Sequence, residues 1–349
     1  MRKVRIKDIA EIANVSIGTV DRVIHKREGV SDATRSRIEK LLEEYNYQPD
    51  FIASSLAMKK EVRLGVIMPG TVSDHVFWDL HRIGLDKATE ELAGFALSLD
   101  VKCFDQFDKN DFLQKVESFS FEAVHGVLFA PVFEEESAAF IHSCYERNIP
   151  VVLINSRLDV EGVSSFVGQD AFHSGYVAAK LINYGLEHRR DVVIINMSAR
   201  KDHYAHLISR EQGFRRYFEE HSDRLDNLVT IDLSGVDDNV LYQRLGEVMS
   251  AYKVGGIFVS NSRVYKVAEF LAGRGAMSIR LVGYDLLPGS VAYLKRDYID
   301  FLISQRPEEQ ARLGLNSLFN LVAFNRVPEK QQLMPIDIIT RENLNYYKH

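Results

Sequence analysis

Between residues 62 and 284 the chain alternates short apolar runs with amphipathic helical segments. The run Val62–Met68 is predicted to be a strand that Pro69 and Gly70 stop, and residues 77–92 have the apolar spacing of a helix. The same rhythm restarts at Ser164 and continues to Tyr284. Continuous apolar strands separated by helices are typical of parallel sheets covered on both faces. Two rounds of this pattern therefore predict an α/β fold with two similar lobes, each a doubly wound parallel sheet.

The first 24 residues have the pattern of two short helices separated by a tight turn. The apolar face of the first helix consists of Ile9, Ala10 and Ala13. Ser16 can cap the second helix by accepting a backbone N–H bond, and the inward residues of that helix are Val20, Val23 and Ile24. The outward positions, where a recognition helix would meet base edges in the major groove, are Ile17, Gly18, Asp21 and Arg22. Taken alone, this spacing fits a plain helical hairpin equally well.

The sequence continues with a third predicted helix and a second short motif. Ser31 and Thr34 stand at the start of the helix, and its apolar stripe consists of Ile38, Leu41 and Leu42. The pattern Pro49-x-x-x-Ala53-x-x-Leu56 follows directly. This second motif favours a DNA-binding helix-turn-helix over a plain helical hairpin.

These segments together resemble the lactose-repressor (LacI/GalR) family of bacterial transcription factors, and the spacing matches without a gap. The matching residues are Asp8-Ile9-Ala10, Val15-Ser16, Thr19-Val20, Arg22-Val23, Val30-Ser31, Thr34-Arg35, Asn46-Tyr47 and Pro49-x-x-x-Ala53-x-x-Leu56. The resemblance implies an all-α helix-turn-helix headpiece over residues 1–48 and a hinge helix and linker over 49–60. It further implies a two-lobed, periplasmic-binding-protein-like body for effector binding and dimerisation over 61–349. By the same analogy the chain crosses between lobes three times, near 156–163, 286–290 and 325–336.

The resemblance assigns roles to residues of the headpiece and hinge. We expect Arg22 to contact guanine in bidentate fashion, with a phosphate contact or a solvated side chain as the alternatives. Ile17 could contact a thymine methyl group. The expected phosphate contacts are Ser16, Thr19, Ser31, Thr34 and Arg35. Hinge residue Leu56 would wedge between base pairs, and Ala53 would let two hinge helices approach closely. Gly18 and Asp21 depart from the family's usual residues, so the operator sequence cannot be carried over.

The resemblance also implies a polar ligand site at the carboxyl ends of the strands, between the lobes. Its candidate residues are His75, Phe77, Trp78, Asn155, Asp170, Arg210, Asn261, Asp285 and Gln305. Carboxylates, amides and a guanidinium suit vicinal hydroxyls, and the two aromatic rings offer flat apolar faces to a sugar. Each has a structural alternative, since the aromatics could be helix core and the two aspartates could be caps. Asn155-Ser156 replaces the Asp-Arg pair common in pentose and hexose binders, which leaves the particular sugar open.

Composition and charge agree with a DNA-binding headpiece followed by an effector-binding body. Residues 1–60 hold 12 Lys and Arg against 9 Asp and Glu, whereas the remainder holds 31 against 40. A basic head on an acidic body suits a polyanionic partner bound by the head. The two cysteines, Cys103 and Cys144, make no disulfide framework. The sequence has no signal-type segment and no apolar run long enough for a membrane span, so we expect a cytoplasmic protein.

We therefore expect a homodimeric, ligand-responsive transcription factor, most simply a repressor, on pseudo-palindromic double-stranded operator DNA. Its effector would be a monosaccharide or a derivative. Arg210, with Lys201 or Arg200 nearby, leaves a sugar acid or sugar phosphate open, and a protein partner is a further alternative. No nucleophile-elbow, Walker or zinc-ligand spacing occurs, so neither a cofactor nor an enzymatic activity is expected.

Overall fold

The structure is a computed structural model of the 349-residue chain. It describes residues 6–24, 28–45, 61–71, 76–186, 188–198, 205–221, 223–234 and 237–347. The proposed hinge residues Ala53 and Leu56, the candidate ligand residue His75, and the basic residues Arg200 and Lys201 lie outside the described residues.

The N-terminal segment is a small helical unit. It consists of α1 (Ile6–Ile12), α2 (Ile17–Ile24) and α3 (Asp32–Glu44). Its buried core is formed by Ile9, Ala10, Ala13, Val20, Val23 and Ile38. Ile24, Leu41 and Leu42 pack against this core from half-buried positions. The inward faces predicted from the spacing are thus confirmed.

The first lobe is built on a six-stranded parallel sheet. Its consecutive elements are β1 (Val62–Pro69), α4 (Phe77–Glu91), β2 (Leu97–Phe104), α5 (Lys109–Glu117), β3 (Gly126–Phe129), α6 (Glu134–Glu146), β4 (Val151–Ile154) and β5 (Val163–Gln169). The strands β1, β3 and β4 are almost wholly buried, because helices cover both faces of the sheet.

The second lobe repeats this plan. Its elements are α7 (Ala171–Gly185), β6 (Arg190–Ser198), α8 (Ala205–Glu220), β7 (Leu225–Ser234), α9 (Asp238–Ala251), β8 (Val254–Val259), α10 (Val264–Gly273), β9 (Arg280–Tyr284), α11 (Pro288–Leu294) and β10 (Phe301–Ser304). The chain ends with α12 (Pro307–Phe324), β11 (Gln331–Met334) and β12 (Asp337–Ile339), before a short 3-10 turn at Leu344–Tyr347.

The two sheets have the same strand order. The first is β2-β1-β3-β4-β5-β11 and the second is β7-β6-β8-β9-β10-β12. All pairs are parallel except β10 with β12, which is antiparallel. The predicted pair of doubly wound lobes is therefore confirmed, and corresponding strands bring their carboxyl ends towards the same interlobe space.

The chain passes between the lobes three times, as expected, but two of the three passages are at other residues than expected. β5 pairs with β4, so the chain stays in the first lobe through residues 156–163 and leaves it only at Gln169. β9 and β10 pair within the second sheet, so residues 286–290 are no crossing, and the chain returns between Ser304 and α12. The expectation was wrong at these two places because an apolar run does not reveal which strand it will pair with. The third passage, between β11 and β12, lies within the expected 325–336.

A single side chain connects the three passages. The Nε2 amide of Gln169 donates to the backbone oxygen of Ser304 at 3.0 Å and to that of Pro335 at 2.8 Å. Gln169 is buried, so these bonds are shielded from competing water. The side chain of Gln169 therefore holds together the three interlobe passages, which we call the joint.

Each lobe has an apolar core on both sides of its sheet, and Leu207 and Leu287 of the second lobe pack into the clusters of the first. Cys144 is buried in the first lobe and, like Cys103, is a free thiol. Within the described part of the chain, none of the helices combines the length and apolar character needed to cross a bilayer.

Candidate functional site

The helix α2 presents a largely exposed outer face. Asn14 adopts a left-handed backbone conformation with φ of 50° in the turn before it. Ser16 Oγ then accepts the Thr19 backbone N–H at 3.1 Å, which caps the helix as predicted. Ile17 is 47% exposed, and Gly18 and Arg22 are exposed beside it. An apolar side chain left this exposed is not explained by packing within the unit.

The remaining headpiece candidates lie on α2 and at the start of α3. Ser31 caps α3 by accepting the Thr34 backbone N–H, and Thr34 and Arg35 are half-buried in its first turn. Asp21 is half-buried on α2. Both Asp21 and Arg35 make contacts of their own. The structure thus brings the predicted base-reading and phosphate-contacting residues of α2 and α3 onto one small unit.

A cleft between the two lobes gathers most of the predicted ligand residues. It encloses about 540 Å³, part of which opens to solvent. The described residues that line it are Phe77, Trp78, Gln106, Phe107, Val132, Asn155, Ser156, Met197, His206, Leu207, Arg210, Asn261, Ser262, Arg263 and Gln305. Polar groups converging on a concave, aromatic-lined space are typical of a small-molecule site.

Asp285, Gln305 and Arg210 form a buried hydrogen-bonded chain at one side of the cleft. Asp285 accepts the Gln305 backbone N–H at 3.1 Å and its side-chain amide at 2.6 Å. The amide oxygen of Gln305 accepts in turn from Arg210 Nη2. Asp285 is only 1% exposed, and burial raises its pKa to about 6, against the opposing effect of the Gln305 bonds and the Arg210 charge.

The surroundings of Arg210 hold its guanidinium in place. Arg210 Nη1 donates to the Ser260 carbonyl at 2.7 Å, and its carbon Cζ lies 3.8 Å from the centroid of the Tyr284 ring. The Tyr284 hydroxyl pairs with Ser174 at 2.9 Å. Arg210 Nε is buried without a hydrogen-bond partner.

A close helix crossing sets the position of Arg210. The helix α7 crosses α8 at Gly175, where an added Cβ would lie 1.9 Å from the Arg210 carbonyl oxygen. The reciprocal contact is at Gly213, where a Cβ would lie 1.9 Å from the Phe172 carbonyl oxygen. The two glycines let the backbones approach, and this approach brings the base of the Arg210 side chain to the cleft.

Asn155 of the first lobe occupies the position that corresponds to Asp285 in the second. Each directly follows its strand, β4 or β9, with a left-handed φ of 67° and 65°. The Asn155 backbone N–H donates to Gln310 Oε1 at 2.9 Å, and Gln310 Nε2 donates to the Gln305 carbonyl at 2.8 Å. The two lobes therefore share one hydrogen-bonded frame behind the cleft.

The aromatic residues Phe77 and Trp78 are mostly buried at the start of α4. Their rings meet edge to face at 5.2 Å, and Trp78 Nε1 donates to Gln106 Oε1 at 3.2 Å. Behind them the His81 ring lies tilted by 32° against Trp78, with centroids 4.5 Å apart. Burial lowers the pKa of His81 to about 3, so it is a neutral core residue. Phe77 and Trp78 thus serve both as core and as one wall of the cleft.

Described residues of the two lobes also contact each other across the cleft. Ser156 Oγ of the first lobe and His206 Nδ1 on α8 are 2.8 Å apart. Burial and the Arg210 charge hold the pKa of His206 well below its usual value, so the imidazole is neutral. The second contact places Arg263 Cζ 4.9 Å from the ring centroid of Phe107. Asn261 lies nearby and donates to the Met197 carbonyl at 2.6 Å.

Not every predicted ligand residue reaches this cleft. Asp285 lies behind its lining, with Gln305 in between. Asp170 lines a neighbouring surface pocket instead, where it caps α7 by accepting the His173 backbone N–H at 2.9 Å and pairs with His173 Nδ1 at 2.8 Å. The sequence analysis did not name the lining residues Gln106, Phe107, Ser262 and Arg263. The one available signal was their position just after strands β2 and β8.

The described residues contain no cluster of three or more His, Cys, Asp or Glu side chains arranged to hold a metal ion.

Comparison with known proteins agrees with both parts of the structure. Residues 64–326 match the family model described as "Periplasmic binding protein domain", and residues 5–50 match the one described as "Bacterial regulatory proteins, lacI family". Fold and site together define a two-lobed ligand-binding protein that carries a helix-turn-helix unit. The chain belongs to the lacI family of bacterial regulatory proteins.

Individual relatives are more distant. The chain is 28% identical over 194 residues to the Bacillus subtilis protein named "Probable HTH-type transcriptional repressor ExuR", covering 55% of this chain and 54% of that protein. It is 26% identical over 293 residues to the ribose operon repressor of Bacillus subtilis, covering 82% of each. A solved structure from Bacteroides fragilis, named as a candidate LacI transcriptional regulator, superposes with a TM-score of 0.76 at 28% identity, over 83% of this chain and all of that one. The chain thus spans about half of the first relative's length and most of the second's.

Proposed function

We propose that this protein is a sequence-specific DNA-binding transcriptional repressor whose operator affinity is controlled by a small sugar-like ligand bound between the lobes. The observation that carries the proposal is the combination, on one chain, of an exposed helix-turn-helix face and an interlobe cleft lined by aromatic, amide and guanidinium groups. The names of the relatives, which include a ribose operon repressor, support the same reading.

The mechanism follows from the geometry. A ligand that bridges residues of both lobes favours one lobe arrangement, and it shifts the equilibrium by its difference in affinity for the two arrangements. In a homodimer each headpiece would meet one half of a pseudo-palindromic operator, because two-fold protein symmetry requires two-fold sites. A change at the joint would then alter the spacing of the two headpieces. The protein would act in the cytoplasm as a regulator and not as an enzyme.

The DNA-binding half is tested with the full chain on operators selected from random duplexes. Arg22→Ala should weaken binding to the selected site by about 10- to 100-fold, as expected for loss of a bidentate base contact. The matched control is Arg244→Ala on the exposed face of α9 in the body, which should leave the affinity unchanged. Equal affinities for the wild type and Arg22→Ala would contradict a base-reading role.

The ligand half is tested by thermal unfolding of the full chain against monosaccharides, sugar acids and sugar phosphates. A ligand at about 100 times its dissociation constant adds roughly 2.7 kcal/mol of stability. The shift should vanish in Arg210→Ala and Asp285→Ala and persist in Arg244→Ala. A folded, operator-binding protein that responds to no member of the panel would overturn the sugar-like effector and point to a protein partner.

A further inference from the structure

Two leucines of the second lobe are buried among apolar side chains of the first. Leu207 lies in the first turn of α8 and is 6% exposed, and Leu287 lies directly before α11 and is 3% exposed. Among the described residues, all other buried members of their two clusters belong to the first lobe, including α12, which packs on it. Separating the lobes would return both side chains to water, so their burial stabilises the arrangement in which the lobes meet.

The two leucines reach opposite faces of the first sheet. Side chains alternate between the two faces along a strand. On β1, Val66 belongs to the cluster that contains Leu287, whereas Ile67 belongs to the cluster that contains Leu207. The second lobe therefore contacts the first on both faces of its sheet. Two such contacts restrict rotation of one lobe on the other more than a single contact does.

The sequence around Leu287 fixes how this side chain is presented. Pro288 follows it, and the residue before a proline is confined to extended backbone. Leu287 has φ of −66° and ψ of 149° accordingly. An added Cβ at Gly289 would lie 3.0 Å from Cγ of Tyr265, so the start of α11 lies directly against α10. The neighbouring Leu286 packs against the core of its own lobe, and Leu287 alone of this pair packs into the first lobe.

Each leucine lies close in sequence to a polar residue of the cleft or of the hydrogen-bonded chain behind it. Leu207 directly follows His206, which pairs with Ser156 of the first lobe at 2.8 Å. Leu287 comes two positions after Asp285. Short backbone segments thus connect the apolar contacts to the polar groups of the site. A change that releases the leucines also displaces these groups, and a ligand held by the groups opposes the release.

We propose that Leu207 and Leu287 form an apolar latch that holds the two lobes in the closed arrangement described above, and that this latch opens before any molecule enters or leaves the cleft. The latch sets the ratio of open to closed molecules, and a ligand acts on that ratio. The inference goes beyond the proposed function, because it applies to a ligand of any chemistry. Its failure would leave the operator and the sugar-like ligand of that proposal unaffected.

The test uses Trp78, the one tryptophan of the chain. Trp78 is buried, lines the cleft and belongs to the same cluster as Leu287. Acrylamide quenching of its fluorescence, measured on the full chain with no sugar added, reports how often the lobes are open. We expect strong protection in the wild type. Leu207→Ala and Leu287→Ala should each raise the ratio of open to closed molecules about 10-fold or more, and the double variant should raise it by the product of the two.

The variant Leu207→Ala separates opening of the lobes from a local cavity. Leu207 and Trp78 belong to different apolar clusters, on opposite faces of the first sheet. Loss of the Leu207 side chain therefore leaves the packing of the Trp78 cluster intact, and stronger quenching in this variant reports open lobes. Each leucine tests the latch independently, so either variant suffices if the other does not fold.

The matched control is Leu286→Ala. Leu286 is a half-buried leucine at the adjacent position and packs within the second lobe. Its substitution should leave the quenching of Trp78 at the wild-type value. Far-ultraviolet circular dichroism and the melting temperature establish that each variant is folded.

Three results would overturn the inference. Efficient quenching of Trp78 in the wild type would show that the lobes open freely. A folded double variant in which Trp78 is as well protected as in the wild type would show that the two leucines do not hold the lobes. Equal quenching in Leu286→Ala and Leu287→Ala would assign the effect to a weakened second lobe in place of a latch.

Discussion

Asp285 shows how burial behind the cleft makes the charged form of a carboxyl group unfavourable. Its carboxyl group is buried next to Gln305 and Arg210, and its pKa rises to about 6 because burial disfavours the charged form. The folded protein therefore holds this proton more tightly than the unfolded chain does. The stability contribution of that proton is complete below the unfolded pKa, near 3.8, and disappears as pH rises through about 6.

The corresponding prediction concerns the pH dependence of unfolding. Between about pH 4 and pH 6, the free energy of unfolding of Asp285→Asn minus that of the wild type should rise with pH, because only the wild type loses the contribution of this proton. Urea unfolding at several pH values measures the difference. Asp86→Asn, an exposed carboxylate on α4, controls for the loss of a negative charge. A difference that is flat with pH for Asp285→Asn would contradict the raised pKa.

Arg263 and Asp170 are two residues whose roles could not be predicted from the sequence. Asp170 follows a strand of the first lobe just as Asp285 follows one of the second, and the residue type alone suits a cap or a ligand contact equally. The structure shows the cap. For Arg263 the only signal was its position after β8, since its contact in the cleft is with Phe107 of the other lobe, 156 positions earlier in the chain.

The crossing of α7 and α8 is the element-scale feature on which the cleft depends. Gly175 faces the Arg210 carbonyl so closely that any side chain must push the helices apart. Gly175→Ala should destabilise the protein by about 1–3 kcal/mol and should weaken ligand binding, because the displacement moves Arg210. Chemical unfolding and titration with the bound ligand measure the two effects.

Gly273→Ala provides the comparison, since nothing lies within 4 Å of the added Cβ at that position. It should be neutral or stabilise by up to about 1 kcal/mol, because alanine restricts the unfolded chain more than glycine. Equal losses of stability for the two variants would show that the close crossing is not the cause.

The helices and strands and their order were largely predictable from the sequence, whereas the neighbours with which each pairs or packs were not. The apolar rhythm predicts β1, α4 and the strands that follow, because burial on both faces leaves a continuous apolar run. It failed for β5, which begins a new run in the sequence yet pairs with β4 in space. The helix α12 is a similar case, since it follows the second lobe in sequence but packs on α4, β3 and β4 of the first.

On the scale of the whole molecule, the two lobes have largely separate apolar cores, which only Leu207 and Leu287 join among the described residues that are buried in the core clusters. Leu281 is fully buried in the second lobe, and Val127 is fully buried in the first. Because separate cores open as separate units, Leu281→Ala should accelerate backbone amide exchange across β6 to β10 more than across β1 to β5. Val127→Ala should show the reverse.

Hydrogen exchange read by mass spectrometry measures this, with each truncation expected to cost a few kcal/mol. A bound ligand that bridges both lobes should reduce the difference between them. Uniform acceleration over the whole body by either variant would show a single cooperative unit in place of two.

The bonds from Gln169 to the backbone at Ser304 and Pro335 have a consequence for how a ligand-responsive repressor of the kind proposed above would evolve. This amide contacts neither the exposed face of α2 nor the lining of the cleft, yet it connects all three interlobe passages of the joint. Substitutions at position 169 would change the stiffness of that joint, and with it the steepness of the dose response. In the repressor proposed above, the residues that would contact the ligand and the DNA would stay as they are. Sensitivity and specificity can therefore be selected separately in the same gene.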